Sequence, residues 1–383
     1  MAKLKEFCTI NPKAPVLTDD LEVSFVPMPR VGEQGEFDPS EIKEYRKVKK
    51  GFTNFQNGDV LFAKITPCME NGKGAIAKAL KNGYGFGSTE FHVLRPDYSK
   101  VTSEWLYYLT SWGEFRKDAE CNMTGSAGQK RVPKTFLENY DVNLPELQKQ
   151  QEMVKILSRI GELIALRKEQ LAKLDQLVKS RFIELFGDMA HKSDKVFLEE
   201  LSDFVTVGIA NSATHAYADD GIVMLRNQNI KENYLDDNDL IHITPEFAKK
   251  YGSKQLEEND ILVIRTGYPG VACLVPKKYE GCQTFTTLIV RLKDASLAHA
   301  NYVCHYINSR FGKDYVEQSK VGVAQQNFGA KALAKMPIVV PPMELQEQFA
   351  TFVEQTDKSK LVIQQSLGKL ELLKKSLMQE YFG

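Results

Sequence analysis

No two of the six cysteines (Cys8, Cys68, Cys121, Cys273, Cys282, Cys304) form a CxxC pair, and no histidine stands at zinc-ligand spacing from them. That excludes a zinc ribbon or a disulfide framework and leaves reduced, incidental thiols. Met1 is not followed by a secretory apolar segment, and no apolar run is long enough to span a bilayer. The expectation is a cytoplasmic protein with no membrane partner. Net charge is also missing, because 50 basic residues balance 50 acidic ones. Neutrality argues against indiscriminate nucleic-acid binding, although one face can still be basic. No catalytic set is visible. There is no G-x-x-x-x-G-K-[ST] loop for nucleotides and no N/D-P-P-F/Y tetrapeptide. His299 and His305 are the nearest histidine pair, but nothing else of ligand type converges on them. NGKG and GYPG read as glycine turns between strands rather than phosphate cradles.

What the 383 residues do contain is a repeat. The stretch EQLAKLDQLVKSRFIELFG, ending at Gly187, returns as QSLGKLELLKKSLMQEYFG, ending at Gly383. A shift of 196 positions places Leu171 on Leu367, Leu174 on Leu370, Leu177 on Leu373, Lys179 on Lys375, Phe186 on Phe382 and Gly187 on Gly383. So many ungapped identities mark an internal duplication with a period of about half the chain. The composition, 43% hydrophobic and 26% charged, is that of an ordinary globular protein with length for two cores. A long helix that occurs twice needs a partner, and its own copy is the expected one.

The chain divides into residues 1–145, 146–187, 188–341 and 342–383. The first block is mixed and mostly β. NGDVLFAKI is a turn into an apolar strand, GFGSTEFHVLRP is another strand, and SEWLYYLTSWGEFRKDAE has helical spacing. TGSAGQKRVPKTFLENYDVNLP reads as a polar glycine loop, a short helix or turn, and an exit strand. The third block repeats this outline. ENDILVIRT stands for NGDVLFAKI, with Asp260 on Asp59 and Arg265 on Lys64, and VGVAQQNFGAKALAKMPIVVPP stands for the glycine-loop segment. MLRNQNI, with Met224 and Arg226, is aligned on Met28 and Arg30. The scaffold recurs while the loops hardly match. In the second block Met153, Leu157, Ile160, Ile164, Arg167, Leu171, Leu174, Val178, Arg181 and Leu185 are spaced alternately by four and three, a heptad seam with two charged interruptions. One helix over Leu147–Phe186 would be about 60 Å long. The final block carries the matching seam through Phe352, Ile363, Leu370, Leu373 and Leu377.

GDVLFAKITPCMENGKGAIA, GSTEFHVL and the TGSAGQ loop leading into LPELQKQQEMV, with their second-half counterparts NDILVIRTG, VGVAQQNFGAKALAKMPIVVPPMELQEQF and the terminal helix, resemble the specificity subunits of type I restriction–modification systems. The order domain, P-x-x-L-Q-x-Q helix, domain, helix carries the resemblance over essentially the whole chain. It implies an α+β fold in which two mixed α/β target-recognition domains, related by a pseudo-two-fold axis, are separated by two long antiparallel coiled-coil helices. Each domain would read one half of a split double-stranded DNA target. The helices would set the spacer and dock two methyltransferase subunits, with two motor–nuclease subunits joining for restriction. S-adenosylmethionine, ATP and magnesium would belong to those partners, and this chain would hold no cofactor. The competing reading is a two-headed coiled-coil scaffold that binds proteins instead of DNA.

For DNA contact the residues of interest are donors on the unmatched loops. Gln129, Lys130 and Arg131 follow the first glycine loop, and Gln325, Gln326 and Asn327 occupy the matching stretch. Gln and Asn suit adenine N6/N7, Arg suits guanine O6/N7, and Lys mostly takes phosphate. Lys64 and Arg265 end equivalent strands, Arg226, Asn227 and Gln228 open an amide-rich turn, and Lys134 and Lys331 follow the loops as phosphate anchors. Each has a plainer reading as a solvated loop or surface charge. The run Arg46, Lys47, Lys49, Lys50 reads as a solvated face. Helix–helix packing is expected from Leu157, Ile160, Ile164, Leu171, Leu174, Val178 and Leu185 against Ile363, Leu370, Leu373 and Leu377.

Overall fold

The computed structural model describes the chain except for residues 127, 188–194, 211–212, 294–297 and 323–325. It separates into two compact units that do not follow chain order. Unit 1 is Met1–Lys168 with Gln365–Gly383, and unit 2 is Glu169–Gln364. The long helices Leu147–Phe186 and Met343–Phe382, of 40 residues each, contribute to both. Gly161 does not interrupt the first of them.

In unit 1 the apolar run Val60–Ala63 is a strand buried on both faces. Val60 and Phe62 point into the core beneath the helices, whereas Leu61 and Ala63 point into a second core. The strict alternation of a strand thus lets one short run serve two hydrophobic layers. Its sheet has the order Cys8–Ile10, Phe91–Pro96, Val60–Ala63, Gly74–Ile76, antiparallel throughout. A second sheet has the order Ile42–Glu44, Glu22–Val26, Tyr84–Gly87, Thr53–Gln56, with its central pair parallel. Unit 2 repeats the first sheet as Ser202–Val207, Leu288–Leu292, Ile261–Val263, Ala272–Leu274. Here too alternate residues divide, with Ile261 and Val263 in one core and Leu262 and Ile264 in another. Its second sheet keeps the parallel pair, Ile222–Leu225 on Gln283–Thr284, but takes its extra strand, Tyr217–Ala218, at the opposite edge.

Two buried polar devices recur. Asp59 receives both forks of Arg95 at 2.8 and 2.7 Å and the Gln56 amide at 2.7 Å. Asp260 does the same with Arg291, at 2.8 Å twice, and with the Glu257 amide. The repeated aspartate is therefore a turn-and-sheet clamp: its buried carboxylate is stable because both oxygens are paired, with an arginine supplying the counter-charge. The glutamine five residues after Pro145 and its counterpart five residues after Pro341 are equally enclosed. Gln150 donates to the carbonyls of Lys100 and Pro145 at 2.8 Å and accepts from the Thr102 amide at 3.0 Å. Gln346 donates to Pro341 O and accepts from the His299 amide, both at 2.8 Å. Each glutamine fastens the start of a long helix to the start of a nine-residue helix of its own unit, Ser103–Ser111 or Ala300–Asn308.

Each copy of the repeated stretch packs within one unit. In unit 2 the first copy meets the early part of the second long helix: Phe182 and Phe186 lie 5.4 and 5.6 Å from Phe349, and Asp175 pairs with Lys360 at 2.7 Å. In unit 1 the second copy meets the early part of the first long helix, through Lys168–Glu371 at 3.2 Å and a core shared by Met153, Val154, Tyr381 and Phe382. Within each unit the two helical segments run antiparallel. The aromatic ends of the repeat join the globular cores, where their large rings find apolar neighbours. Phe186 packs 4.8 Å from Tyr302, and Phe382 packs 5.2 Å from Trp105.

The seam is accordingly redrawn. Leu157, Ile160 and Val178 are buried, while Ile164, Leu171, Leu174, Leu185, Ile363, Leu370 and Leu377 are half-buried. Leu373 is 47% exposed, and Met378 takes the buried place near it. After Val178 the burial steps by four to Phe182 and Phe186 rather than through Arg181 and Leu185, because the helix there faces a globular core instead of a narrow coiled-coil seam. No helix among the described residues is long and apolar enough to cross a membrane.

Candidate nucleic-acid interface

In unit 1 the chain leaving the strand Val60–Ala63 is held on both sides. The Lys64 amide donates to Glu90 O at 2.9 Å, Lys64 O accepts from the Val132 amide at 2.9 Å, and the Thr66 amide donates to Lys130 O at 3.1 Å. Beside it the polar glycine loop is closed by Thr124 and Arg131, which exchange both backbone hydrogen bonds at 3.0 and 2.8 Å. Gly125 stands at φ +124°, where a Cβ would lie 3.0 Å from Gln129 O, so the turn requires glycine. Ser126, Gly128, Gln129 and Lys130 are exposed.

Arg131 has an intramolecular partner. Its Nε and Nη2 donate to the two carboxylate oxygens of Glu90, each at 2.9 Å, and Nη1 donates to Gln129 O at 2.9 Å. One edge of the fork is thus filled by a carboxylate from GSTEFHVL that the loop-centred reading passed over. The same hydrogen bonds hold the Glu90 carboxyl below the usual range. Lys64 has no ion pair among the described residues, and Lys134 pairs with Glu138 at 3.0 Å. The two lysines flank His92, whose pKa is lowered chiefly by burial and further by their charges. Lys64, Gln129, Lys130, Arg131 and Lys134 thus belong to one neighbourhood.

Unit 2 builds the same clamp with different side chains. Val321 and Asn327 exchange backbone hydrogen bonds at 3.0 and 2.9 Å, the Phe328 amide donates to Arg265 O at 2.9 Å, and Thr266 bridges Asn327. Arg265 Nε donates to Asn327 Oδ1 at 3.0 Å. Gln326 accepts from Lys320 Nζ at 2.9 Å. Asn227 reaches the same place, its Nδ2 lying 3.3 Å from both Thr266 oxygens, while its buried Oδ1 has no partner among the described residues. Gln325 lies outside the described residues. Lys331 is exposed on the short helix Ala330–Ala334.

The amide-rich turn is tied to an acid. Arg226 Nη2 lies 3.1 Å from Asp239 Oδ2, and Gln228 Nε2 lies 2.7 Å from the same oxygen. Asn229 is buried and pins the turn through the carbonyls of Asp236 and Asn238 at 3.1 and 2.9 Å. The alignment of Met224 and Arg226 on Met28 and Arg30 is also corrected. The turn Asn227–Asn229 follows its strand as Met28–Arg30 follows Glu22–Val26, so Asn227 is the counterpart of Met28.

Two residues of this surface have no precursor in the loop-donor reading. Tyr268 is 83% exposed and Val321 74%, on opposite sides of the Thr266–Asn327–Val321 bridges. An aromatic inside a glycine–proline turn (Gly267, Pro269, Gly270) was a legible signal, since such a turn offers it no core. Among the described residues no group of acidic, histidine and cysteine side chains could hold a metal ion.

A family model for the type I restriction modification DNA specificity domain matches residues 1–176 and again 192–372. Over 207 residues the chain is 42% identical to the type I restriction enzyme EcoAI specificity subunit of Escherichia coli, covering 52% of this chain and 34% of that one. It is 44% identical over 184 residues to the EcoEI specificity subunit of the same organism, covering 46% of this chain and 31% of that one. The chain thus spans about a third of the length of these curated relatives. In fold it resembles the S subunit of a type I restriction–modification system from M. genitalium, with a TM-score of 0.55, 12% identity, and coverage of 100% of this chain and 95% of that one.

Proposed function

The chain belongs to the type I restriction modification DNA specificity domain family, and on that premise we propose that it is the sequence-reading subunit of a type I restriction–modification complex. Each unit reads one half of a bipartite double-stranded DNA target. The observation that carries this is the pairing of identical clamps with different polar faces: Gln129 and Lys130 beside Lys64 in unit 1, Gln326 and Asn327 beside Arg265 in unit 2. Shared scaffolding with divergent loops is what two readers of different sequences need, since loops carry specificity and buried clamps carry geometry.

The two long helices set the spacer between half-sites and dock two methyltransferase subunits. Their uncovered apolar residues support the docking: Ile156, Leu166 and Leu372 in unit 1, Leu177, Ile183, Leu361 and Val362 in unit 2. Leu166 to Leu177 and Leu361 to Leu372 are steps of eleven residues, about three helical turns and hence one face. Two motor–nuclease subunits complete the restricting assembly. Methylation and cleavage, with S-adenosylmethionine, ATP and magnesium, reside in those partners, and the complex works on cytoplasmic DNA. The family match does not favour the protein-binding adaptor.

The test is a map of methylated adenines in host DNA with and without this chain, the methyltransferase being present. Loss of one split motif on deletion supports the reading, and an unchanged methylation map overturns it.

A further inference from the structure

Resting on that reading, we propose that Glu90 in unit 1 and Arg265 in unit 2 are positioning residues for base recognition: each locks the returning arm of its unit's polar loop onto the adjoining sheet, Glu90 from just before the strand Phe91–Pro96 and Arg265 from just after the strand Ile261–Val263, without itself contacting a base.

The two locks occupy the same place with donor and acceptor exchanged. In unit 1 the cation is on the loop, Arg131, and the acceptor is on the scaffold, Glu90. In unit 2 the cation is on the scaffold, Arg265, and the acceptor is on the loop, Asn327. Arg131 and Asn327 are equivalent by backbone as well, since each closes its loop and bridges the residue after the clamped strand end, Ile65 or Thr266. A lock reached from opposite chemical directions marks the geometry as what is required.

The interaction is small beside the stability of a whole domain. The Arg131–Glu90 pair is partly exposed at the surface, and such pairs contribute little to stability. What a bidentate fork supplies is orientation. Gln129 and Lys130 directly precede Arg131, and Gln326 directly precedes Asn327. Displacing either arm therefore displaces these polar side chains, and base readout tolerates little misplacement.

Glu90 also lets positioning be separated from electrostatics. Near DNA a carboxylate repels phosphate, so removing it raises affinity for every sequence. If Glu90 instead holds the loop, removing it lowers selectivity. The experiment uses the complex assembled with its methyltransferase subunits. Binding is measured to duplexes carrying the mapped split motif, and to the same duplexes with one or the other half scrambled. Glu90→Gln is expected to reduce discrimination at one half-site by about tenfold, the scale of one base contact, with binding to the scrambled duplex unweakened and the melting temperature unchanged. Arg131→Lys, which keeps the charge and loses the fork, should act like Glu90→Gln. Arg265→Lys should reduce discrimination at the other half-site only. Full discrimination in Glu90→Gln, or relaxation of the same half by Glu90→Gln and Arg265→Lys, overturns the positioning role. Absence of discrimination in the unaltered complex overturns the DNA-reading function instead, so the two failures are distinct.

Discussion

Units 1 and 2 solve the same packing problem with different side chains. Where a long helix ends against Ser103–Ser111 or Ala300–Asn308, unit 2 gathers Phe182, Phe186, Tyr302 and Phe349 into one aromatic cluster, with ring centroids 4.8–5.8 Å apart. Unit 1 places Met378, Phe382, Trp105 and Met153 at the equivalent positions. One larger ring and two pliable thioethers replace three rings. Polar clamps show no such freedom: Asp59–Arg95 and Asp260–Arg291, and likewise Gln150 and Gln346, use the same residue types in both units. Apolar cores tolerate exchange when volume is kept, whereas a buried polar atom must find a partner at one distance and angle. Loop surfaces, bound by neither rule, have diverged entirely.

That contrast is sharpest at the helix ends. Phe186→Ala should destabilise unit 2 by about 4 kcal/mol, and Phe382→Ala, whose ring is only half-buried, should cost unit 1 about 2 kcal/mol. Hydrogen exchange resolved by peptide reads each unit separately, and equal losses would break the asymmetry. The glutamines should behave alike. Gln150→Ala and Gln346→Ala each leave a buried amide and at least one carbonyl unsatisfied, for about 3 kcal/mol apiece. A difference of several-fold between them, in denaturant unfolding, would refute the equivalence of the two clamps.

The smallest expected effect concerns pH. Unit 2 buries His305 against Phe349, 5.0 Å away, with Nδ1 2.9 Å from Asn301 O, where unit 1 has Tyr108 bonded to Ser158. Burial pushes His305 down to about 4, with an opposing contribution from the Asn301 carbonyl and a further lowering from Lys360. A histidine whose folded pKa lies below its unfolded value near 6.5 adds no penalty above that value. Below it the unfolded chain takes up the proton first, so stability falls between about pH 6.5 and pH 4. At pH 5 the loss is about 2 kcal/mol. His305→Gln should remove that share of the acid sensitivity of unit 2. His92 in unit 1 is displaced in the same direction, mainly by burial, so unit 1 retains its own response. An acid profile of unit 2 unchanged by His305→Gln would place the sensitivity elsewhere.

Several features were legible because they are periodic or repeated. The 40-residue helix Leu147–Phe186, the strand pattern of NGDVLFAKI and ENDILVIRT, and the duplication of Asp59 as Asp260 all follow from spacing along the chain. Partners distant in sequence were not legible. Glu90 sits 41 residues from Arg131, and nothing local announces that a carboxylate in GSTEFHVL will fill the fork of an arginine that reads as a DNA contact. Asp239 captures Arg226 and Gln228 in the same way.

By itself the sequence determined that there are two equivalent globular parts, two long helices and a loop surface free to differ, because hydrophobic period, glycine turns and repetition are local properties. Only the tertiary structure decided that the aromatic end of each copy of the repeated stretch joins the core of a globular unit. Packing Phe186 and Phe382 takes residues as remote as Tyr302, Phe349 and Trp105, and which remote residues converge is settled by the fold as a whole.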